Sequence, residues 1–446
     1  MPNGPVSGFS ADFSILLIEG MAAAVDGAIL APGTGAGGAA KQGRRGVNAS
    51  GGKTSSGARR RYVGPEILRI GFRPFFLAGG VWAALAVALW LGNLAGFVDL
   101  PTAFDPAVWH AHEMLFGFVV AVIAGFLLTA IPNWTGRLPV RGRGLGLLAA
   151  IWILGRVAVG VSGLIGPLAA AVLDLAFPIA FCAVVLREVL AGRNWRNLPI
   201  VGILAVLAAS NLLTHLEAIG LASTGGLGLR LGIATVAVLI ALVGGRIVPS
   251  FTRNWLAKRG EQRLPRAFGR VDRLAIVATV AAGLAWSLVP EAPATGVLAL
   301  VAAVLGGVRL AGWRGQQTLA EPLVWVLHLG YGWLVLGWTL LGAAVLLPEF
   351  DPASALHALT AGAMGTMTLA VMTRASLGHS GRPLHAGAGT TWCYGLVGLA
   401  ALARVVAPLA PDGAALLFGL SGLAWIGAFG LFVMLYAPLL TGLERQ

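Results

Sequence analysis

The chain has 446 residues, 57% of them hydrophobic and only 11% charged, with a net charge of +13. Soluble domains carry about 25% charged residues, so a soluble enzyme is excluded. The surplus of Lys and Arg reads as loop charge on a membrane protein rather than a nucleic-acid surface, and no DNA-reading motif accompanies it.

Residues 1–66 differ from everything after them. The stretch "APGTGAGGAAKQGRRGVNASGGKTSSGARRR" is rich in Gly, Ala, Ser and Arg, with too little bulky apolar surface to offset the entropy of folding. A disordered basic tail is expected here, followed by a membrane domain over 67–446. The run "FSILLIEGMAAAV" imitates a signal sequence, but Asp12 stands before it where basic residues belong. A start codon set too far upstream is an alternative origin for the tail.

From residue 70 onward, apolar runs of about 18 to 27 residues recur, and about 20 suffice to cross a bilayer as a helix. Twelve spans are expected, centred near residues 84, 119, 154, 178, 208, 236, 281, 304, 333, 365, 399 and 427. The fold class is therefore an all-α polytopic membrane protein. Cys182 and Cys393 both fall inside these runs, which supports neither a disulfide framework nor a CxxC metal site.

Alternate connections lack Lys and Arg: 97–107, 162–167, 218–229, 290–295, 348–355 and 410–413. The intervening ones carry Arg137, Arg141 and Arg143; Arg187, Arg193 and Arg196; a cluster from Arg246 to Arg273; Arg309 and Arg314; Arg374 and Arg382. Positive charge is retained on the cytoplasmic side, so both termini are expected there, in a bacterial inner membrane.

An internal echo is visible. His112 precedes Gly136 of "TGRLP" by 24 positions and His357 precedes Gly381 of "SGRPL" by the same 24, while Gly117 and Gly362 each follow their histidine by five. Spans two and ten read as repeats of one another. Span six ends in the related "GGRIVPSFTRNW" without an equivalent histidine, which suggests three units of four helices.

Four of the seven histidines share one depth: His110 and His112 at the outer end of span two, His215 near that of span five and His357 near that of span ten. Imidazole is a common metal and haem ligand, and a layer of imidazoles from separate helices is what a cofactor between helices needs. Taken singly, each reads as an interfacial histidine bonded to a carbonyl or water; four at one level read as ligands. His328 lies deeper, and His379 and His385 belong to an inner loop. His110 and His112 point about 200° apart on an α-helix, so a single centre cannot use both unless the helix end is irregular; two centres on opposite faces can. Glu113 and Met114 fall on the His110 side, where Glu113 is expected either to orient that imidazole or to answer the helix dipole.

Arg156 in span three and Asp174 in span four are at compatible depths for an ion pair. Arg156 is alternatively a partner for a haem propionate or anionic substrate. Arg230 and Arg404 are expected to snorkel toward the outer interface. Met364, Met367 and Met372 offer thioethers suited to Cu(I), but their spacing keeps them off a common face, and packing is the expected role. The loop "VMTRASLGHSGRP" has no GxGxxG or P-loop pattern and reads as a basic turn.

"GFRPFFLAGG", "WHAHEMLFGF", "GGRIVPSFTRNW" and "HALTAGAMGTMTLAVMTRASLGHSGRPL" together resemble the NnrS family of bacterial membrane proteins, over residues 68 to 440. The resemblance implies a twelve-helix inner-membrane protein containing haem and copper, associated with denitrification and with the response to nitric oxide and nitrosative stress. Its histidine-bearing motifs fall on His110, His112, His357 and His379. The expected function is thus a haem- and copper-binding membrane protein that meets nitric oxide, with His110, His112, His215 and His357 as ligands and Arg156 beside the cofactor. A secondary transporter with its site at Arg156 and Asp174 is the alternative, and a scaffold or metal-delivery partner without turnover a third. The expected partners are the lipid bilayer, nitric oxide and an unidentified electron donor.

Overall fold

The computed structural model describes residues 62–443. Apart from its last five residues, the basic tail expected over 1–66 lies outside them. Among the described residues there is no strand, and twelve helices are long and apolar enough to cross a membrane. They are α1 (Phe72–Leu94), α2 (Pro106–Thr135), α3 (Arg143–Gly160), α4 (Pro167–Ala191), α5 (Trp195–Ala218), α6 (Leu227–Lys258), α7 (Arg270–Leu288), α8 (Pro293–Ala311), α9 (Pro322–Leu346), α10 (Pro352–His379), α11 (Ala388–Leu409) and α12 (Pro411–Thr441). Every expected span centre falls inside one of them. The protein is a multi-pass membrane protein.

Proline marks the entry of several spans. Pro106, Pro167, Pro293, Pro322 and Pro352 each occupy the first turn, where a missing N–H costs nothing and the fixed φ suits a helix. At the α10 entry, Asp351 also accepts from the Ala353 backbone N–H at 2.7 Å, capping an orphan donor.

Three helices form the middle of the bundle. In α2, α6 and α10 respectively 83%, 72% and 72% of the apolar stretch is enclosed by protein, against at most 50% in the other nine. The same three, and among the described residues only these, contain a π-helical segment: Glu113–Val119, Ile240–Gly244 and Ala358–Gly365. The recurrence at every fourth helix gives the three-unit echo a structural counterpart.

A π-segment widens the turn and disturbs the carbonyl ladder, and neighbours answer the exposed carbonyls. Trp152 Nε1 of α3 donates to the Gly117 carbonyl at 3.1 Å, and Arg309 Nη1 of α8 donates to the Ala241 carbonyl at 2.7 Å. Arg309, counted as loop charge in the sequence, is fully enclosed and paired with Asp272 at 2.8 Å. It closes the last turn of α8 inward because the α6 carbonyl and the α7 carboxylate together replace its hydration.

Candidate functional site

Two sites lie back to back on α2. The first is a buried polar cluster on its α3–α5 side. Arg156 Nη1 donates to both oxygens of Glu113 at 2.8 Å, and its Nη2 donates to Asp174 Oδ1. The Arg156–Asp174 pair expected from depth is present, with Glu113 as a third member. Glu113 also accepts from Trp82 Nε1 at 2.8 Å. Asp174 Oδ2 accepts from Asn211 Nδ2 at 2.8 Å and lies 2.9 Å from His215 Nε2 and 3.3 Å from His112 Nε2. His112 bonds Glu113 Oε1 through Nδ1 at 3.0 Å and Asn211 Oδ1 through Nε2 at 2.8 Å.

Two glycines make room for this cluster. A Cβ at Gly117 falls 2.8 Å from Trp82 Nε1 and 2.9 Å from Arg156 Nη1, and one at Gly155 falls 2.9 Å from Asp174 Oδ1. The helices close to distances that only hydrogen at Cα permits. Two carboxylates against one guanidinium leave one negative charge, which either a proton on an imidazole or a bound cation balances. Ligand atoms of His112, Asp174 and His215 lie within 4.8 Å of one another. The donor set of two imidazole nitrogens and one carboxylate oxygen suits a divalent transition metal. The Glu113 contact to His112 Nδ1 is the arrangement that turns the other ring nitrogen toward a metal.

The second site is a cavity of about 240 Å³ on the opposite side of α2. His110 and His357 both line it, with Met114, Met364, Trp425 and Arg404. His110 lies flat on Trp90, ring centroids 4.1 Å apart, and its buried Nδ1 has no hydrogen-bond partner among the described residues. His357 Nδ1 is fixed by the Ala353 carbonyl at 2.8 Å, which leaves Nε2 as its available nitrogen. The guanidinium of Arg404 sits 4.4 Å from the Phe418 ring centroid and keeps a buried Nη1 without a partner.

The four candidate histidines therefore do not form one layer around one centre. His110 lines a cavity with His357, while His112 meets His215 with ring centroids 5.0 Å apart, as the opposed directions of His110 and His112 require. Glu113 serves His112 rather than His110, because the helix turns π-helical at that residue and Arg156 draws the carboxylate to its own side. Arg156 stands outside the cavity lining and is committed to two carboxylates. Arg404 does not snorkel free; it is packed on Phe418 at the cavity wall. Met364 lines the cavity, whereas Met367 and Met372 are buried elsewhere in the core. His328 bonds the Val324 carbonyl at 3.2 Å and Thr252 at 3.3 Å, and His379 packs on Phe72. Asn211 gives no signal in the sequence: a lone amide in an apolar span carries no spacing pattern, although its cost in lipid is a cue.

Comparison with known families decides the relationship. The family model described as NnrS protein matches residues 66–443. The chain belongs to the NnrS family. Among curated proteins nothing matches. For an NnrS protein, two separated histidine sites on one helix are a specific arrangement against which haem and copper, the groups the family resemblance implies, can be tested. The cavity offers donors and walls of the kind a haem would use: imidazoles of His110 and His357, aromatic and aliphatic sides, and an arginine whose Nη1 has no hydrogen-bond partner. The polar cluster fits copper by its N, N, O donor set.

Proposed function

We propose that this NnrS protein holds haem between His110 and His357, holds copper at His112, Asp174 and His215, and serves the response to nitric oxide and nitrosative stress associated with denitrification. The observation that carries the reading is that His110 of α2 and His357 of α10 line one cavity with a free nitrogen each. Following the charge asymmetry of the connections, we place the protein in the bacterial inner membrane with both termini cytoplasmic and the histidine sites toward the outer face.

When bound, the two metals supply redox-active centres able to take up nitric oxide. The chain's own residues do the rest. Trp90 and the Ala353 carbonyl set the planes of His110 and His357. Arg404 offers its Nη1 to an anionic group at the cavity wall. The apolar lining excludes water, which strengthens each remaining electrostatic contact. On the other side of α2, Glu113 holds the His112 ring through Nδ1 and Arg156 holds both carboxylates, so that Nε2 of His112, Nε2 of His215 and Oδ2 of Asp174 converge.

The transporter alternative needs accessible space at Arg156 and Asp174; both are enclosed and engaged with one another and their neighbours. The test is an optical and metal analysis of detergent-purified protein, oxidised, reduced and exposed to nitric oxide. A Soret band that shifts with nitric oxide, with near-stoichiometric copper, supports the proposal. Protein without either group returns the transporter and scaffold readings.

A further inference from the structure

A second cavity of about 110 Å³ lies between α2, α5, α6 and α10. It shares two wall residues, Val119 and Met364, with the histidine cavity. Its walls are otherwise built from side chains such as Ile123, Phe126, Val236 and Val243. Of the polar residues at its surface, Thr368 spends its hydroxyl on the Met364 carbonyl at 2.6 Å, Arg246 is engaged with other groups of the protein, and Asn197 has its Nδ2 unpartnered. Asn197 stands in the first turn of α5, and Arg246 in the second half of α6.

We infer that this second cavity holds a small, uncharged, apolar diatomic gas and feeds it past Val119 and Met364 into the His110–His357 cavity. Around the shared wall the lining is almost wholly apolar, and the hydroxyls of Thr360 and Thr368 donate within their own helix, so a polar solute loses most of its hydration there without replacement. An apolar cavity of this scale stays dry and accepts xenon-like guests. Met364 is the natural movable wall, since its unbranched thioether chain has three rotatable bonds. Along α10, His357 to Met364 and Met364 to Val371 are seven residues each, so the joined spaces run about 20 Å into the bilayer. A gas that enters this cavity from the hydrocarbon reaches the histidines without crossing the aqueous face. The destination rests on the proposed ligand role of that cavity; the gas site itself does not.

Crystals pressurised with xenon test the site with no cofactor required. The expected result is xenon density in the second cavity of the native protein, and its loss there in the Val243→Phe variant, which narrows that cavity without touching the histidines. Ordered acyl or detergent density in the second cavity, or no xenon there, overturns the inference. The feed is tested on haem-loaded protein by carbon monoxide rebinding after flash photolysis. Val243→Phe is expected to slow association several-fold with an unaltered Soret band; unchanged association overturns the feed. Protein lacking a Soret band contradicts the haem proposal instead, and the xenon result still decides the gas site.

Discussion

His110 and His112 stand two residues apart on α2 and belong to different sites. His110 lies on Trp90 and faces the cavity shared with His357, while His112 is bonded to Glu113 and Asn211 and meets His215. One helix thereby supplies an imidazole to each of two sites, and each imidazole can be removed without touching the other site.

The second centre is separable by metal content. His215→Ala or Asp174→Asn is expected to lose copper, measured by elemental analysis, with the haem spectrum retained. Glu113→Gln keeps the three donors but weakens the hold on His112 Nδ1, so copper affinity is expected to fall about 10–100-fold. Copper unaffected by all three changes removes the metal from this cluster.

Arg156 is predicted to matter for stability beyond any metal. Arg156→Met leaves Glu113 and Asp174 buried without their cation, a loss of about 3–5 kcal/mol, read as a lower thermal midpoint in detergent. Adding Glu113→Gln and Asp174→Asn to Arg156→Met removes the uncompensated charge and is expected to recover part of that midpoint. No recovery means that shape rather than charge holds this junction.

Gly117 is predicted to be intolerant of a single methyl group. Gly117→Ala presses on Trp82 and Arg156 and is expected to cost about 1–3 kcal/mol. Gly395→Ala is the matched control: a Cβ there meets nothing within 4 Å, and its helix is expected to be unchanged or slightly firmer. Equal effects at the two positions contradict the packing account.

His379 is the negative control for the haem site. It lies 22 residues beyond His357, at the far end of α10 against Phe72. The His379→Ala protein is expected to retain its full Soret absorbance. Loss of haem there contradicts the placement of the cofactor at the opposite end of the helix.

The twelve spans were legible because each is a long apolar run that only a bilayer tolerates, and Arg156 with Asp174 because ionisable groups at matched depth in adjacent spans seek each other. The divergence of His110 and His112 followed from helical geometry alone. What escaped the sequence has common physical causes. The π-segments are a matter of hydrogen-bond register, which leaves the apolar pattern intact, so the turning of Glu113 toward His112 was hidden. Arg309 sits at a helix end, where an enclosed charge and a loop charge look alike until Asp272 and the Ala241 carbonyl are in place. Arg404 likewise lies within snorkelling reach of a surface, and only Phe418 shows that it stays. Asn211 is an isolated amide whose partners come from α2 and α4, distant in sequence.

The most direct measurement is the haem content of three alanine variants purified side by side and read by reduced-minus-oxidised absorbance. The account predicts that His110→Ala and His357→Ala each lose the bound haem while inserting normally, and that His112→Ala keeps it. Haem retained in both His110→Ala and His357→Ala, or lost from His112→Ala alone, contradicts the assignment of the cavity between α2 and α10.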